Sequence, residues 1–202
     1  MDYSTAIAHL KTADPVLGAW IDQVGDCLLC QDQGEGDLLF TLCESILYQQ
    51  LSGKAAAAIH RRFLELYPDR SYPTAQDLLN TSDEALRGAG ISRSKVVYMK
   101  DLAQKVLEGL PSLEALEKLE DEEITQTLLP IKGVGRWTVQ MLLMFRLHRW
   151  DVFPMDDLGI RSGIRKIYEL SDLPDKKTME KLGQPWKPYR TIASWYLWRS
   201  LD

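Results

Sequence analysis

The sequence predicts an all-α protein. Three observations carry that expectation. Apolar residues recur at three- and four-residue spacing in nearly every segment, the punctuation consists of helix caps and prolines, and no alternating runs flank a two-residue turn. At 202 residues the chain is long enough to bury a core as a single helical unit spanning 1–202.

The elements follow in order. Residues 4–10 form an opening helix that stops before Asp14-Pro15, and residues 16–22 form a second with apolar Leu17, Trp20 and Ile21. A glycine- and acid-rich loop fills 31–37. Phe40, Cys43, Ile46 and Leu47 give 37–48 a helical period, which breaks at Gln49-Gln50-Leu51-Ser52-Gly53 and resumes over 54–66. There the Ala55-Ala56-Ala57-Ala58 run has so little bulk that the helix can lie close to a neighbour. Pro68 and Pro73 end the segment. Thr81-Ser82-Asp83-Glu84 has capping-box spacing before a short helix closed by Gly88-Ala89-Gly90. Ser92 caps a longer helix whose stripe is Val96, Met99, Leu102, Ala103, Val106 and Leu107, ending at Gly109. Residues 122–147 read as helix, tight turn and helix, and the loop 150–157 delivers Asp156-Asp157 to the start of another helix.

Composition narrows the function. No stretch approaches the length of a membrane span and the N-terminus lacks the basic and apolar regions of a signal peptide. An intracellular monomer is expected, cytoplasmic and near the nucleoid in a bacterium, nuclear in a eukaryote. Cys27, Cys30 and Cys43 cannot pair completely; Cys27 and Cys30 form C-x-x-C, but no second pair follows, and His9, His60 and His148 lack zinc-ligand spacing. A net charge of −5 argues mildly against nucleic acid as a partner. Its distribution argues the other way: acids crowd into 114–123, whereas Lys132, Arg136, Arg146, Arg149, Arg161, Arg165 and Lys166 gather later, leaving room for a local basic face.

The sharpest local signal is Leu129-Pro130-Ile131-Lys132-Gly133-Val134-Gly135 followed by Arg136-Trp137-Thr138. Glycines at the bends of so tight a turn let backbone amides point outward at a helix N-terminus, where a DNA phosphate is held without reading sequence. Lys132 and Arg136 would add charge there.

This hairpin, followed by Val152-Phe153-Pro154-Met155-Asp156-Asp157, resembles the signature of the helix-hairpin-helix DNA glycosylase superfamily. The resemblance runs through Tyr48-Gln49-Gln50-Leu51-Ser52, Gly90-Ile91-Ser92-Arg93-Ser94-Lys95 and Trp186-Lys187-Pro188-Tyr189-Arg190. It covers nearly all of the chain from His9 onward and is closest to the DNA-3-methyladenine glycosylase II branch, in a short form without the β-rich N-terminal domain of some relatives.

The resemblance implies two helical lobes with a cleft. One is a wedge-bearing lobe of residues 37–109; the other, 1–36 with 110–202, carries the hairpin and the catalytic loop. It implies a monofunctional glycosylase acting on double-stranded DNA with alkylated purines, with Asp157 as the catalytic carboxylate and Asp156 a cap or neighbour. Asp157 lies where amide donors and the helix dipole favour negative charge. A fixed anion beside C1′ opposes the positive charge developing on the sugar, and a cationic alkylated base leaves without a dedicated acid. Trp137 and Trp198 correspond to aromatic residues of the family's base pocket. Gln50-Leu51-Ser52 is the candidate wedge that fills the gap left by the extruded base: Leu51 is the apolar choice, Gln50 the choice by resemblance. Lys132, Gly133, Val134, Gly135 and Arg136 complete the DNA-binding set. No cofactor is required, though the resemblance allows a sodium or potassium ion on the backbone carbonyls of Leu129, Ile131 and Val134. Two alternatives stay open. One is a glycosylase of this superfamily for other damaged or mismatched bases; the other is a helix-hairpin-helix DNA-binding module without catalysis.

Overall fold

The computed structural model describes residues 2–29, 36–51 and 53–201. Among them every regular element is helical: α1 (Ser4–Ala13), α2 (Pro15–Val24), α3 (Leu38–Tyr48), α4 (Gly53–Leu64), α5 (Ala75–Asn80), α6 (Asp83–Gly88), α7 (Arg93–Leu107), α8 (Leu113–Leu116), α9 (Asp121–Leu128), α10 (Arg136–Met141), α11 (Leu158–Ile167), α12 (Lys176–Gly183) and α13 (Arg190–Arg199). A π-helical turn, Leu142–Arg146, continues α10. None of these helices is long and apolar enough to cross a membrane.

The chain divides into two compact units, one of Met1–Gln33 with Leu143–Asp202, the other Gly34–Leu142. The sequence reading groups 110–142 with the termini; in the structure this segment packs with 34–109. Tertiary ties explain the difference, since α10 lies against α3 as well as α9, and the turn between α9 and α10 is bonded to α7.

In the Gly34–Leu142 unit, α7 is the central post, packed against α3, α5 and α6. Its buried stripe is Val96, Met99, Leu102 and Ala103, as the period predicts. Leu107, read as part of that stripe, is 52% exposed at the last turn. Of the four alanines opening α4 only Ala56 is buried. The capping box falls one helix earlier than the spacing suggests. Thr74 and Asp77 cap α5 reciprocally, whereas Thr81 still closes α5 through its N–H to the Asp77 carbonyl (3.0 Å), which leaves Ser82 to cap α6.

The other unit packs α1, α2, α11 and α13 around Leu10, Leu17, Ile21, Ile160, Ile164, Trp186 and Tyr196. Asp14, itself buried, organises it. Its Oδ1 caps α2 by accepting from Val16 and Leu17 N–H, and its Oδ2 accepts from the Tyr168 hydroxyl (2.5 Å) and the Trp186 indole (2.9 Å). Burial, then the adjoining Asp14, pushes the Tyr168 phenol well above its ordinary range. Helix α13 is buried on every side from Thr191 to Leu197. It meets α11 at Gly163, where a Cβ would come 2.5 Å from the Leu197 carbonyl oxygen.

Candidate active site

Residues 149–157 carry the chain into α11, and α13 holds both ends of this loop. At the near end Arg190 grips Asp151 through a two-point fork, Nε to Oδ1 at 2.7 Å and a terminal guanidinium nitrogen to Oδ2 at 2.8 Å. The neighbouring Thr191 hydroxyl donates to the Arg149 carbonyl (2.6 Å) and accepts from the Val152 N–H (2.9 Å). Val152, Phe153 and Pro154 are then buried, and the Pro154 carbonyl accepts the Asp157 N–H at 3.0 Å.

Asp157 is the N-cap of α11 and half-buried, while Asp156 is exposed. One oxygen of Asp157, Oδ1, accepts two hydrogen bonds, from the Ile160 N–H at 2.8 Å and from the Trp198 indole N–H at 2.9 Å. The first is a cap bond; the second reaches across from α13 and fixes the carboxylate's orientation. Trp198 stacks on Phe145 with ring centroids 5.8 Å apart. Gly159 makes room for this arrangement: a Cβ there would stand 2.9 Å from Trp198 Cδ1 and 3.0 Å from Asp157 Oδ1.

The hairpin lies in the other unit, between α9 and α10. Gly133 has φ +78°, and a Cβ on it would come 2.2 Å from the Tyr98 ring, so backbone and packing both demand glycine. Gly135 differs from the sequence reading. It is extended (φ −105°, ψ 174°) with open space beside it, so nothing among the described residues requires glycine there. It is the N-cap of α10 without a side chain to cap it. Lys132 does not send its N–H outward. That group donates to Asp101 Oδ2 at 3.0 Å, and its ammonium pairs with Asp101 Oδ1 at 3.1 Å. Arg136 pairs with Glu122 at 3.5 Å. Burial pushes the Asp101 carboxyl up, but the bonds and charge of Lys132 outweigh it and leave the group below its ordinary value. The expected basic face is therefore partly neutralised at these two residues. The side chains of Ile131 and Val134 belong to the core, which leaves only their backbone for contacts.

Of the remaining sequence candidates, Trp198 adjoins Asp157, whereas Trp137 sits on α10 with the hairpin and is 40% exposed. Gln50, at φ +57°, and Leu51, 40% exposed, follow α3 at the surface; Ser52 and Cys30 lie outside the described residues. Among the described residues no group of three or more histidine, cysteine or acidic side chains is placed to hold a metal ion. Gly159, Asp151 and Thr191 escaped sequence reasoning. The groups they meet, Trp198, Arg190 and Val152, lie far along the chain, and the only available signal was that Arg190 belongs to a segment carrying the family resemblance.

A family model described as HhH-GPD superfamily base excision DNA repair protein matches residues 43–188. DNA-3-methyladenine glycosylase 1 of Schizosaccharomyces pombe is 41% identical over 160 residues, covering 79% of this chain and 70% of the relative. The alkylbase DNA glycosidase-like protein of the same yeast is 34% identical over 200 residues, 98% of this chain and 93% of the relative. A solved structure of the S. pombe 3-methyladenine DNA glycosylase in complex with abasic DNA superposes with a TM-score of 0.91 at 36% identity, covering 97% of this chain and 96% of that one. With a family model that matches most of its length and an overall fold shared with a solved glycosylase structure, this chain belongs to the HhH-GPD superfamily of base excision DNA repair proteins.

Proposed function

We propose that this chain is a monofunctional DNA glycosylase that hydrolyses the N-glycosidic bond of alkylated purines in double-stranded DNA. The observation that carries the reading is the Asp157 carboxylate, held by two hydrogen bonds on one oxygen beside the stacked Trp198. The names of the two yeast relatives, which refer to 3-methyladenine and to alkylated bases, support the substrate class.

In this mechanism the C1′–N bond breaks as the sugar becomes an oxocarbenium ion. A base alkylated at N3 or N7 carries the positive charge beforehand, takes the bonding electron pair and departs neutral. Asp157 stabilises the cationic sugar and orients water for attack at C1′; the water's proton passes to the carboxylate or to solvent. The second hairpin helix opens with Arg136 and Trp137. Neither side chain forms a Schiff base, so strand cleavage does not accompany base release. Trp198, beside Asp157, supplies an aromatic face of the kind that attracts a cationic base.

At the hairpin the Ile131 and Val134 N–H groups close tight turns onto the Leu128 and Ile131 carbonyls, both at 3.1 Å. The carbonyls of Leu129, Ile131 and Val134 are hard oxygen donors of the kind a sodium or potassium ion takes. When bound there, such an ion would supply positive charge toward a DNA phosphate.

Single-turnover release of 3-methyladenine and 7-methylguanine tests the reading with Asp157→Asn and Asp156→Asn. Asparagine at 157 keeps an oxygen to accept from Ile160 and Trp198 but lacks the charge. Release should fall by about a hundredfold or more, equivalent to roughly 2.7 kcal/mol of transition-state stabilisation. Asp156→Asn should remain active. A folded Asp157→Asn enzyme with wild-type release would assign catalysis to another group, whereas no release by the unaltered chain would leave it a DNA-binding module.

A further inference from the structure

Helix α7 presents Lys95, Tyr98 and Asp101 at successive three-residue steps, so they share one side of the helix. Each serves an element of the DNA-binding set. Lys95 Nζ donates to the carbonyls of Leu47 (2.8 Å) and Gln49 (2.9 Å), at the end of α3 where helix carbonyls lack intrahelical partners. The Tyr98 ring lies against Gly133, and Asp101 binds both the N–H and the ammonium of Lys132. Gln49 closes the circuit, its Nε2 donating to the Gly133 carbonyl at 2.9 Å and to the Thr138 hydroxyl at 3.3 Å.

Wedge loop and hairpin are thus tied to one helix and to each other, all within the Gly34–Leu142 unit. Immediately after Gln49 the backbone enters the left-handed region at Gln50, a conformation that side-chain-bearing residues adopt only when their surroundings impose it. The ties of Gln49, through its side chain to the hairpin and through its carbonyl to Lys95, hold the chain right up to that point. Lys95 is half-buried and gives its ammonium to two protein carbonyls, so its charge is committed to the loop.

We infer that Lys95 and Gln49 are positioning residues for base extrusion, setting Gln50-Leu51 at a fixed distance from the phosphate-holding turn. The inference rests on the reading of Gln50-Leu51 as the wedge. Extrusion requires the wedge to enter the stack while the hairpin holds the backbone. A wedge on a slack loop would yield instead of displacing the nucleotide, although the hairpin would still bind.

The test uses a duplex with 7-methylguanine beside 2-aminopurine, whose fluorescence rises when its neighbour unstacks. The variants are Lys95→Met, Lys95→Arg, Gln49→Ala and, as the wedge reference, the double variant Gln50→Ala, Leu51→Ala. Binding of an undamaged duplex and thermal melting accompany each. Lys95→Met and Gln49→Ala should each slow the fluorescence rise by about tenfold while undamaged-duplex affinity stays within about twofold. Lys95→Arg, which keeps donors and charge, should recover most of the rate. A helix cap with a purely structural role would lower the melting temperature without this split. Wild-type extrusion in both Lys95→Met and Gln49→Ala, alongside a slow wedge reference, overturns the positioning role and spares the wedge. An unaffected wedge reference overturns the wedge reading. Equal losses of extrusion and undamaged-duplex binding overturn the positioning role too, because the whole unit would then have loosened.

Discussion

Gly159→Ala separates the geometry of the Asp157–Trp198 pair from the stability of the fold. The added methyl would stand 2.9 Å from Trp198 Cδ1 and 3.0 Å from both Trp198 Nε1 and Asp157 Oδ1. Carbon contacts settle near 3.5–4.0 Å, so the indole or the carboxylate must retreat by roughly half an ångström. Phe145 backs the indole and the Ile160 N–H restrains the carboxylate, so the yielding element is their mutual 2.9 Å bond, which would stretch past useful hydrogen-bond length. Overpacking of this kind costs about 1–3 kcal/mol. Alanine in place of glycine in a helix returns up to about 1 kcal/mol, less here because residue 159 lies in the first turn of α11. Net stability should therefore fall by about 0–3 kcal/mol, whereas a displaced catalytic group commonly loses tenfold to a hundredfold in rate. Single-turnover release of 7-methylguanine, paired with chemical denaturation, reads both quantities. Trp198→Phe, which deletes the donor, should reproduce much of the rate loss, and combining the two should cost less than their sum. Wild-type release by Gly159→Ala would refute the reasoning, since a carboxylate that tolerates the methyl does not depend on the indole bond.

Three further outcomes follow from the structure. Gly133→Ala should destabilise the chain by about 2–4 kcal/mol, from the left-handed φ together with the Tyr98 clash, and weaken binding to any duplex, whereas Gly135→Ala should melt like the wild type; equal melting of the two would show the turn is not held as described. Asp101, whose ordinary value is 3.8, is lowered in the fold, so its contribution is complete above that value and lost as pH falls through the folded value. Asp101→Asn should therefore flatten the acid limb of a denaturation midpoint measured from about pH 5 to about pH 2, and an unchanged limb would remove the Lys132 pairing from the account. Arg190→Lys cannot reproduce the fork on Asp151 and should lower stability by about 1–2 kcal/mol in urea melts, with an unchanged midpoint counting against the clamp on the loop.

Where the structure follows the sequence, the information is carried by a few neighbouring residues. A period along α7, a proline after Asp14 and an aspartate three residues before the Ile160 N–H each specify a local outcome, and the helices and the Asp157 cap are where they lead. Helix α13 was invisible in these terms because seven consecutive residues, Thr191 to Leu197, are buried and no polar face remains to mark a period. The position of Asp157 was legible; its second hydrogen bond, from an indole 41 residues away, was not. The same holds for Lys95, 48 residues from the Leu47 carbonyl it binds, and for Gln49, 84 residues from the Gly133 carbonyl. It holds too for the allocation of 110–142 to the unit of α7. Caps and periods are energies of adjacent residues, so a sequence determines them directly. Which helix faces meet depends on how whole surfaces pack, and glycines such as Gly159 and Gly163 acquire their meaning only from the side chain or carbonyl that comes to lie against them.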